Sequence, residues 1–320
     1  MTIPAFSPEV SIVLPTHNRP RLLEEAINSL LAQTHSNWKL FVVDDASEPP
    51  AEAIQDSRIS IIRNKNPTGG AAAKNIGIEH SQGEIVAYLD DDDLYAPMYL
   101  ETAVKFLRNH PDFDLVFMGV SWFGDRAEAG ERAYQRAMAS LFDAAPPESI
   151  TDDGLFFPND KLFEALLRTV PMAFQRPVVR RSALRKIGNY QTDVLLWDSD
   201  WAIRAALRAN CALINSGLYL QRAQGQGFSS QHNRYAEHFS SNVKMKERLL
   251  NGRLTERQRE LVKESISELW FDAAWTGYRD GYLGLAFRNM LGSAKQSFHI
   301  KHIKLAARIF YQAIKKFLFL

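Results

Sequence analysis

Through its first 120 residues the chain alternates short apolar runs with helix-patterned segments, and polar or acidic clusters close several of those runs. Val10-Ser11-Ile12-Val13-Leu14 reads as a buried strand leading into the turn Pro15-Thr16-His17-Asn18-Arg19-Pro20. Leu22, Leu23, Ala26, Ile27, Leu30 and Leu31 then share one face of a 3.6-residue period, with Asn18 and Pro20 as start signals. Leu40–Val43 is a second strand running into Asp44-Asp45, and Ile59–Ile62 is a third. A small-residue helix spans 71–79, and Ile85–Leu89 is a fourth strand ending in Asp90-Asp91-Asp92-Asp93. A helix over 97–108 and a strand over 115–118 complete the pattern. Continuous apolar strands between helices predict an α/β fold, a mostly parallel central sheet with helices on both faces. Ligands of such sheets bind outside the carboxyl ends of the strands. The polar clusters fall just there.

Beyond Gly124 the pattern weakens, and 124–169 reads as helical and loop material covering the site. Leu195–Ala209 is helical, Gly217–Ser230 is a strand followed by a Gly/Ser-rich loop, and the chain after Asn233 is almost wholly helical. The expected division is a catalytic domain over 1–230 (a nucleotide-binding half over 9–120 and an acceptor part over 121–230) and a helical region over 231–320.

Composition narrows the function. Thirty-eight Lys and Arg against 37 Asp and Glu leave +1, which argues against nucleic acid as a partner. A single cysteine, Cys211, excludes an internal disulfide framework and a multi-cysteine zinc site, and its apolar neighbours make it a buried small hydrophobe. No GxGxxG follows the first strand and no GxxxxGK[ST] occurs, against a Rossmann dehydrogenase and a P-loop NTPase. The opening MTIPAFSPEV shows no signal peptide, and no apolar run approaches the roughly 18 residues of a spanning helix. The expectation is a cytoplasmic protein, or one seated on the inner face of the membrane without crossing it.

Four consecutive aspartates repel one another unless a cation neutralises them. Hard divalent ions take carboxylate oxygens and leave room for phosphate and water, whereas a solvated turn capping the next helix is the plainer reading. Asp44-Asp45 at a strand end could grip a ribose hydroxyl or base N–H, or simply start a loop. Asn66-Pro67-Thr68-Gly69-Gly70-Ala71 with Lys74 makes either an anion seat with a cation beside it or a structural turn. His17 reads as a turn residue, His232 and His238 as helix-surface residues, and Trp122-Phe123 as core.

The order of these pieces resembles family 2 glycosyltransferases of the GT-A fold. Val10–Arg19, then Phe41-Val42-Val43-Asp44-Asp45-Ala46-Ser47, then Gly83-Glu84-Ile85-Val86-Ala87-Tyr88-Leu89-Asp90-Asp91-Asp92-Asp93 carry the resemblance, which extends to about Ser230. It implies an inverting transfer from an NDP-sugar, with UDP the expected nucleotide, to a hydroxyl of a saccharide or lipid-linked saccharide. It also implies Mn2+ or Mg2+, and a place in cell-surface polysaccharide or glycolipid synthesis. Asp44 is similar to the family's nucleoside-binding aspartate, with Asp45 beside it. Pro15, Thr16 and Arg19 match the nucleotide-side edge of the pocket, and Lys74 and Asp91 join the donor-binding set. Asp90 and Asp92 fit the outer positions of D-x-D as metal ligands. Trp197-Asp198-Ser199-Asp200-Trp201-Ala202-Ile203-Arg204 resembles the family's E-D-x-[DE]-x-x-x-R segment. Aligned through Arg204, Asp198 falls on the catalytic base, Trp197 replaces a Glu, and Asp200 is the reserve base. Leu220–Gln224 resembles an R-x-H element with Gln224 in place of His, leaving Arg222 as a donor-binding candidate. A non-catalytic NDP-sugar binder and a sugar-1-phosphate nucleotidyltransferase are the alternatives. The second would want a glycine-rich loop after the first strand, and Pro15–Pro20 has no glycine.

The tail from Gly281 to Leu320 carries seven Lys and Arg and no Asp or Glu. Ile300, Ile303, Ala307, Phe310, Ile314 and Phe317 share one helical face, with Lys301, Lys304, Arg308, Gln312 and Lys315 on others. This pattern suits a helix packed on the catalytic domain or in a homo-oligomer, or a peripheral membrane contact.

Overall fold

The computed structural model describes residues 9–52, 55–224 and 234–318. Most of the opening decapeptide, the Gly/Ser-rich stretch 225–230, His232 and the side chain of Phe317 lie outside the described residues. The chain forms two compact units, residues 1–193 with 197–232, and residues 194–196 with 233–320.

The first unit is built on a ten-stranded sheet, counted among the described residues. Strands β1 (Val10–Thr16), β2 (Trp38–Asp44), β3 (Ile59–Arg63) and β4 (Ile85–Tyr88) run parallel in the order β3-β2-β1-β4. Val10, Ile12, Val13 and Leu14 are fully buried on both faces of β1, which is why its apolar run is continuous rather than alternating. Helix α1 (Pro20–Leu31) buries Leu23, Ala26, Ile27 and Leu30, and Pro20 occupies its first turn. Asn18 does not cap it. Its φ is 55°, and its side-chain carbonyl accepts from Glu48 N at 2.7 Å. Helix α2 (Gly70–His80) starts after Gly69, whose φ of 86° suits a residue without Cβ.

The sheet continues through β6 (Leu115–Phe123) and β10 (Cys211–Arg222), which pair in parallel. Between β4 and β6 lies an antiparallel strand the sequence reading does not contain, β9 (Pro177–Arg180), pairing Val179 with Val86 and Val178 with Val116. Strand β5 (Leu94–Tyr95) pairs antiparallel with β10, and β7 (Ser149–Ile150) and β8 (Leu155–Phe156) extend the far edge. Strand β10 begins at Cys211, six residues earlier than its polar stretch suggests, because Cys211–Leu213 are buried against β6. Its register slips between Ile214 and Tyr219, where a Cβ on Gly119 would fall 2.7 Å from the carbonyl of Ser216. Helices α3 (Tyr99–Asn109), α4 (Ala127–Ala144), α5 (Asn159–Arg168), α6 (Arg181–Ile187) and α7 (Trp197–Arg208) complete the unit. Helix α4 spans 18 residues of the segment whose periodicity is weak, since only Tyr134, Met138 and Leu141 of it are buried.

The second unit is helical: α8 (Tyr235–Leu250), α9 (Glu256–Arg279), α10 (Leu283–Gln296) and α11 (Ile300–Leu318). Thr255 and Gln258 form a capping box at the start of α9. Ala274, Ala286, Met290, Leu305 and Ile309 make the core of α9–α11. Among the described residues no helix is long and apolar enough to cross a membrane.

Candidate active site

Register fixes where the acidic clusters meet. Thr16 pairs with Asp44 and Val13 with Tyr88, so the carboxyl ends of β1, β2 and β4 open onto one crevice. Neighbours β2 and β4 lie on opposite sides of β1, which makes this the topological switch point of the sheet.

Asp44 is fully buried. It accepts from Ser47 N at 2.8 Å and Ala51 N at 3.0 Å, and from Arg63 at 2.6 Å. Burial alone would raise its pKa, but these hydrogen bonds hold it below the usual carboxylate value. Asp45 is occupied by its own chain. Asn64 Nδ2, Thr68 N and Oγ1, and Gly69 N all donate to it within 2.9 Å, pinning the loop that leads into α2. The residues read as an anion seat are therefore shaped around Asp45. Pro15, half-buried near the end of β1, lies opposite Val43 of β2. His17 Nδ1 donates to the Asp45 carbonyl at 2.7 Å, as befits a turn residue.

After β4 the four aspartates diverge. Asp91 accepts from Thr16 Oγ1 at 2.8 Å and from Arg19 at 2.9 Å, and burial pushes its pKa up to about 6. Asp92 lies 3.1 Å from the same guanidinium, and burial and the charge of Asp90 raise it as well. Asp93 is fully buried, accepting from Tyr219 Oη at 3.0 Å and Arg222 N at 2.8 Å, and burial lifts it to about 8. Asp90 goes the other way. Burial would raise it, yet Lys74 Nζ at 2.9 Å and Arg176 at 3.4 Å pull it down to about 2.

Lys74 joins this cluster to α7. Its buried ammonium sits 3.5 Å from Asp198 and 4.4 Å from the centroid of the Trp197 ring. Asp198 Oδ1 is buried and makes no hydrogen bond. Burial raises the Asp198 carboxyl to about 6, against the pull of Lys74. Asp200, two residues further on, is instead salt-bridged to Arg204 at 2.7 Å, and Arg204 donates to the carbonyls of Ile187 and Asn189. That pair staples α7 to the chain before it. Arg222 donates to the Asp92 carbonyl at 2.8 Å and pairs with Glu25 at 2.5 Å, while lying 4.6 Å above Phe123.

Arg176, Tyr219 and Arg63 carry no sequence signal that marks them as site residues. Arg176 is buried, donates to Gln221 at 2.7 Å, stacks 4.5 Å over Tyr219, and leaves its Nε without a partner. It enters the site because Pro177 opens β9 beside β4, a strand too short to announce itself.

The Glycosyl transferase family 2 model matches residues 11–187, more than half of the chain. The chain belongs to the family 2 glycosyltransferases. Its sheet and helices are those of the family's GT-A fold. The UDP-Glc:alpha-D-GlcNAc-diphosphoundecaprenol beta-1,3-glucosyltransferase WfgD of Escherichia coli is 34% identical over 109 residues, 32% of this chain and 43% of WfgD. Staphylococcal TarS (S. aureus, residues 1–349, in complex with UDP-GlcNAc) superposes with a TM-score of 0.62 at 16% identity, covering 90% of this chain and 81% of TarS. The mannosyltransferase PcManGT of Pyrobaculum calidifontis, in complex with GDP-Man and Mn2+, gives a TM-score of 0.54 at 16% identity over 97% of this chain and 82% of PcManGT. The chain spans half or less of the length of the sequence relatives it matches.

Proposed function

We propose that this family 2 glycosyltransferase transfers a sugar, with inversion, from a UDP-sugar to a hydroxyl of a lipid-linked saccharide in cell-surface polysaccharide synthesis. The carrying observation is the convergence of Asp90 and Asp198 on one buried ammonium, Lys74 Nζ, at 2.9 and 3.5 Å. A carboxylate after β4 and another on the first turn of α7 are thereby held in one crevice with unequal proton affinities, one lowered and one raised. Asp90 stays ionised throughout the physiological range. Asp198, near 6, is poised to take a proton at neutral pH, as a general base requires. Asp200 is paired with Arg204, which favours Asp198 over it as the base.

The residues present suit a divalent cation. Asp90 and Asp92 offer hard oxygens, and here six carboxyl groups (Asp90–Asp93, Asp198 and Glu25), of which Asp93 is held protonated by burial, meet four cations (Arg19, Lys74, Arg176 and Arg222). Among the described residues no three His, Cys, Asp or Glu side chains form a ready cage, so donor phosphates would complete the shell. When bound, such an ion neutralises charge on the departing diphosphate. Asp44 and the end of β1 would receive the nucleoside. Arg19 and Arg176 would face the phosphates, exchanging their carboxylate contacts for phosphate oxygens. Asp198 would accept the acceptor hydroxyl's proton as that oxygen attacks the anomeric carbon. One displacement inverts the centre, so no enzyme nucleophile is used.

WfgD, a relative named for a UDP-Glc donor and a diphosphoundecaprenol-linked acceptor, supports that donor and acceptor class, and PcManGT's complex supports a divalent ion. Work on such an acceptor and donor would place the protein at the cytoplasmic face of the membrane. A thermal-shift panel of nucleotides and NDP-sugars, with and without Mn2+, tests the reading, because native-state ligands raise apparent stability. A metal-dependent shift with UDP-sugars is expected. No shift with any nucleotide under either condition would refute it.

A further inference from the structure

Helix α11 presents two apolar stripes, and only one is used by its own unit. His302, Leu305 and Ile309 are buried against α9 and α10. Ile300, Ile303, Phe310 and Ile314, on the far side of the helix at a 3.6-residue period, are each more than half exposed. This is the stripe whose periodicity the sequence shows most clearly, so the helix's most regular apolar face is left to solvent. Exposed Lys304, Arg308 and Lys315 form a third stripe along its edge. An apolar patch rimmed by charge marks an interaction surface.

We infer that this face of α11 lies in the headgroup region of an anionic lipid bilayer. The charge selects the occupant. Residues 281–320 hold seven Lys and Arg and no Asp or Glu. A second copy docking through the same face would bring two basic stripes together, which is repulsive. An anionic surface instead attracts each of them, with about a fivefold gain in partitioning per basic residue near the surface. The apolar stripe enters the acyl boundary while the opposite stripe stays packed on its unit.

The test is flotation of the full chain with phosphatidylglycerol/phosphatidylcholine vesicles and with pure phosphatidylcholine vesicles, at low and high salt. The native protein should float with the anionic vesicles alone and be released by salt. Ile303→Ser/Ile314→Ser should abolish flotation, and Lys304→Gln/Lys315→Gln should weaken it roughly 25-fold, two residues at about fivefold each. All four side chains are exposed, so unchanged unfolding temperatures would separate loss of binding from loss of fold. Three results would each overturn the inference: no binding to anionic vesicles, equal binding to uncharged ones, or binding indifferent to the Ile variants. So would a dimer by light scattering that Ile303→Ser/Ile314→Ser dissociates, without vesicle binding by the native chain. Flotation reads binding and not transfer, so its failure leaves the transferase reading standing.

Discussion

Replacing Lys74 by Met keeps most of the buried volume and removes the charge shared by Asp90 and Asp198. Asp90 owes its depressed pKa, about 2 against the ordinary 3.8, first to Lys74 among its attractive partners. A depressed carboxylate contributes stability that is present above its unfolded pKa and lost as pH falls through the folded one. Nearly two units amount to about 2.5 kcal/mol. A quarter of the Asp90 side chain is exposed and Arg176 remains nearby, so the share lost is about 1–2 kcal/mol. Asp198 is left with its Oδ1 buried and without its nearest cation, which adds about 1 kcal/mol or more. The total is about 2–3 kcal/mol at pH 7, or a fall in Tm of roughly 4–12 °C for a unit of this size. Urea unfolding in EDTA measures it. The loss should shrink toward pH 4 as Asp198 becomes protonated. Lys74→Met/Asp198→Asn should recover part of it. A cost below about 0.5 kcal/mol, or no recovery in the double variant, would refute the ion-triad reasoning.

Asp198→Asn should lower kcat roughly 10²–10⁴-fold with donor-induced thermal shifts retained, whereas Asp200→Asn, by weakening a buried pair with Arg204, should mainly lower Tm. The native transfer rate should fall as pH drops through about 6, because Asp198 must be ionised to take a proton, and rate–pH profiles would show that limb. Burial raises Asp93 from the ordinary 3.8 to about 8, so metal-free protein should lose stability as pH rises from about 4 to about 8. Asp93→Asn should flatten that slope in urea titrations. Asp45→Ala removes the acceptor for Asn64, Thr68 and Gly69, and should cost about 2–4 kcal/mol and increase protease cleavage in 64–69.

The nucleotide half was legible because β1 and β4 are buried on both faces and so read as unbroken apolar runs with polar ends. The same logic located the acidic clusters Asp44-Asp45 and Asp90–Asp93 at strand ends, whereas Asp198 came from the resemblance of 197–204 to the family's segment. What escaped was whatever tertiary pairing alone supplies. Four-residue β9 resembles any Val-Val pair until it lies between β4 and β6, and with it Arg176 went unseen. Adjacent aspartates cannot be ranked from composition. Asp44 and Asp45 differ because one meets Arg63 and the other meets the loop before α2. Helix α11 shows a further limit, since periodicity reveals an apolar stripe but not which stripe packs.

The central claim is that Asp198 serves as base in a single inverting displacement on an NDP-sugar. Proton NMR of a donor panel with purified full-length protein and Mn2+ reads it most directly, following nucleoside diphosphate release and the anomeric signal of the product before mutarotation. The account predicts release from a UDP-sugar with inverted configuration, and Asp198→Asn that still binds the donor but does not turn it over. Retained configuration, or equal turnover by Asp198→Asn, would contradict it.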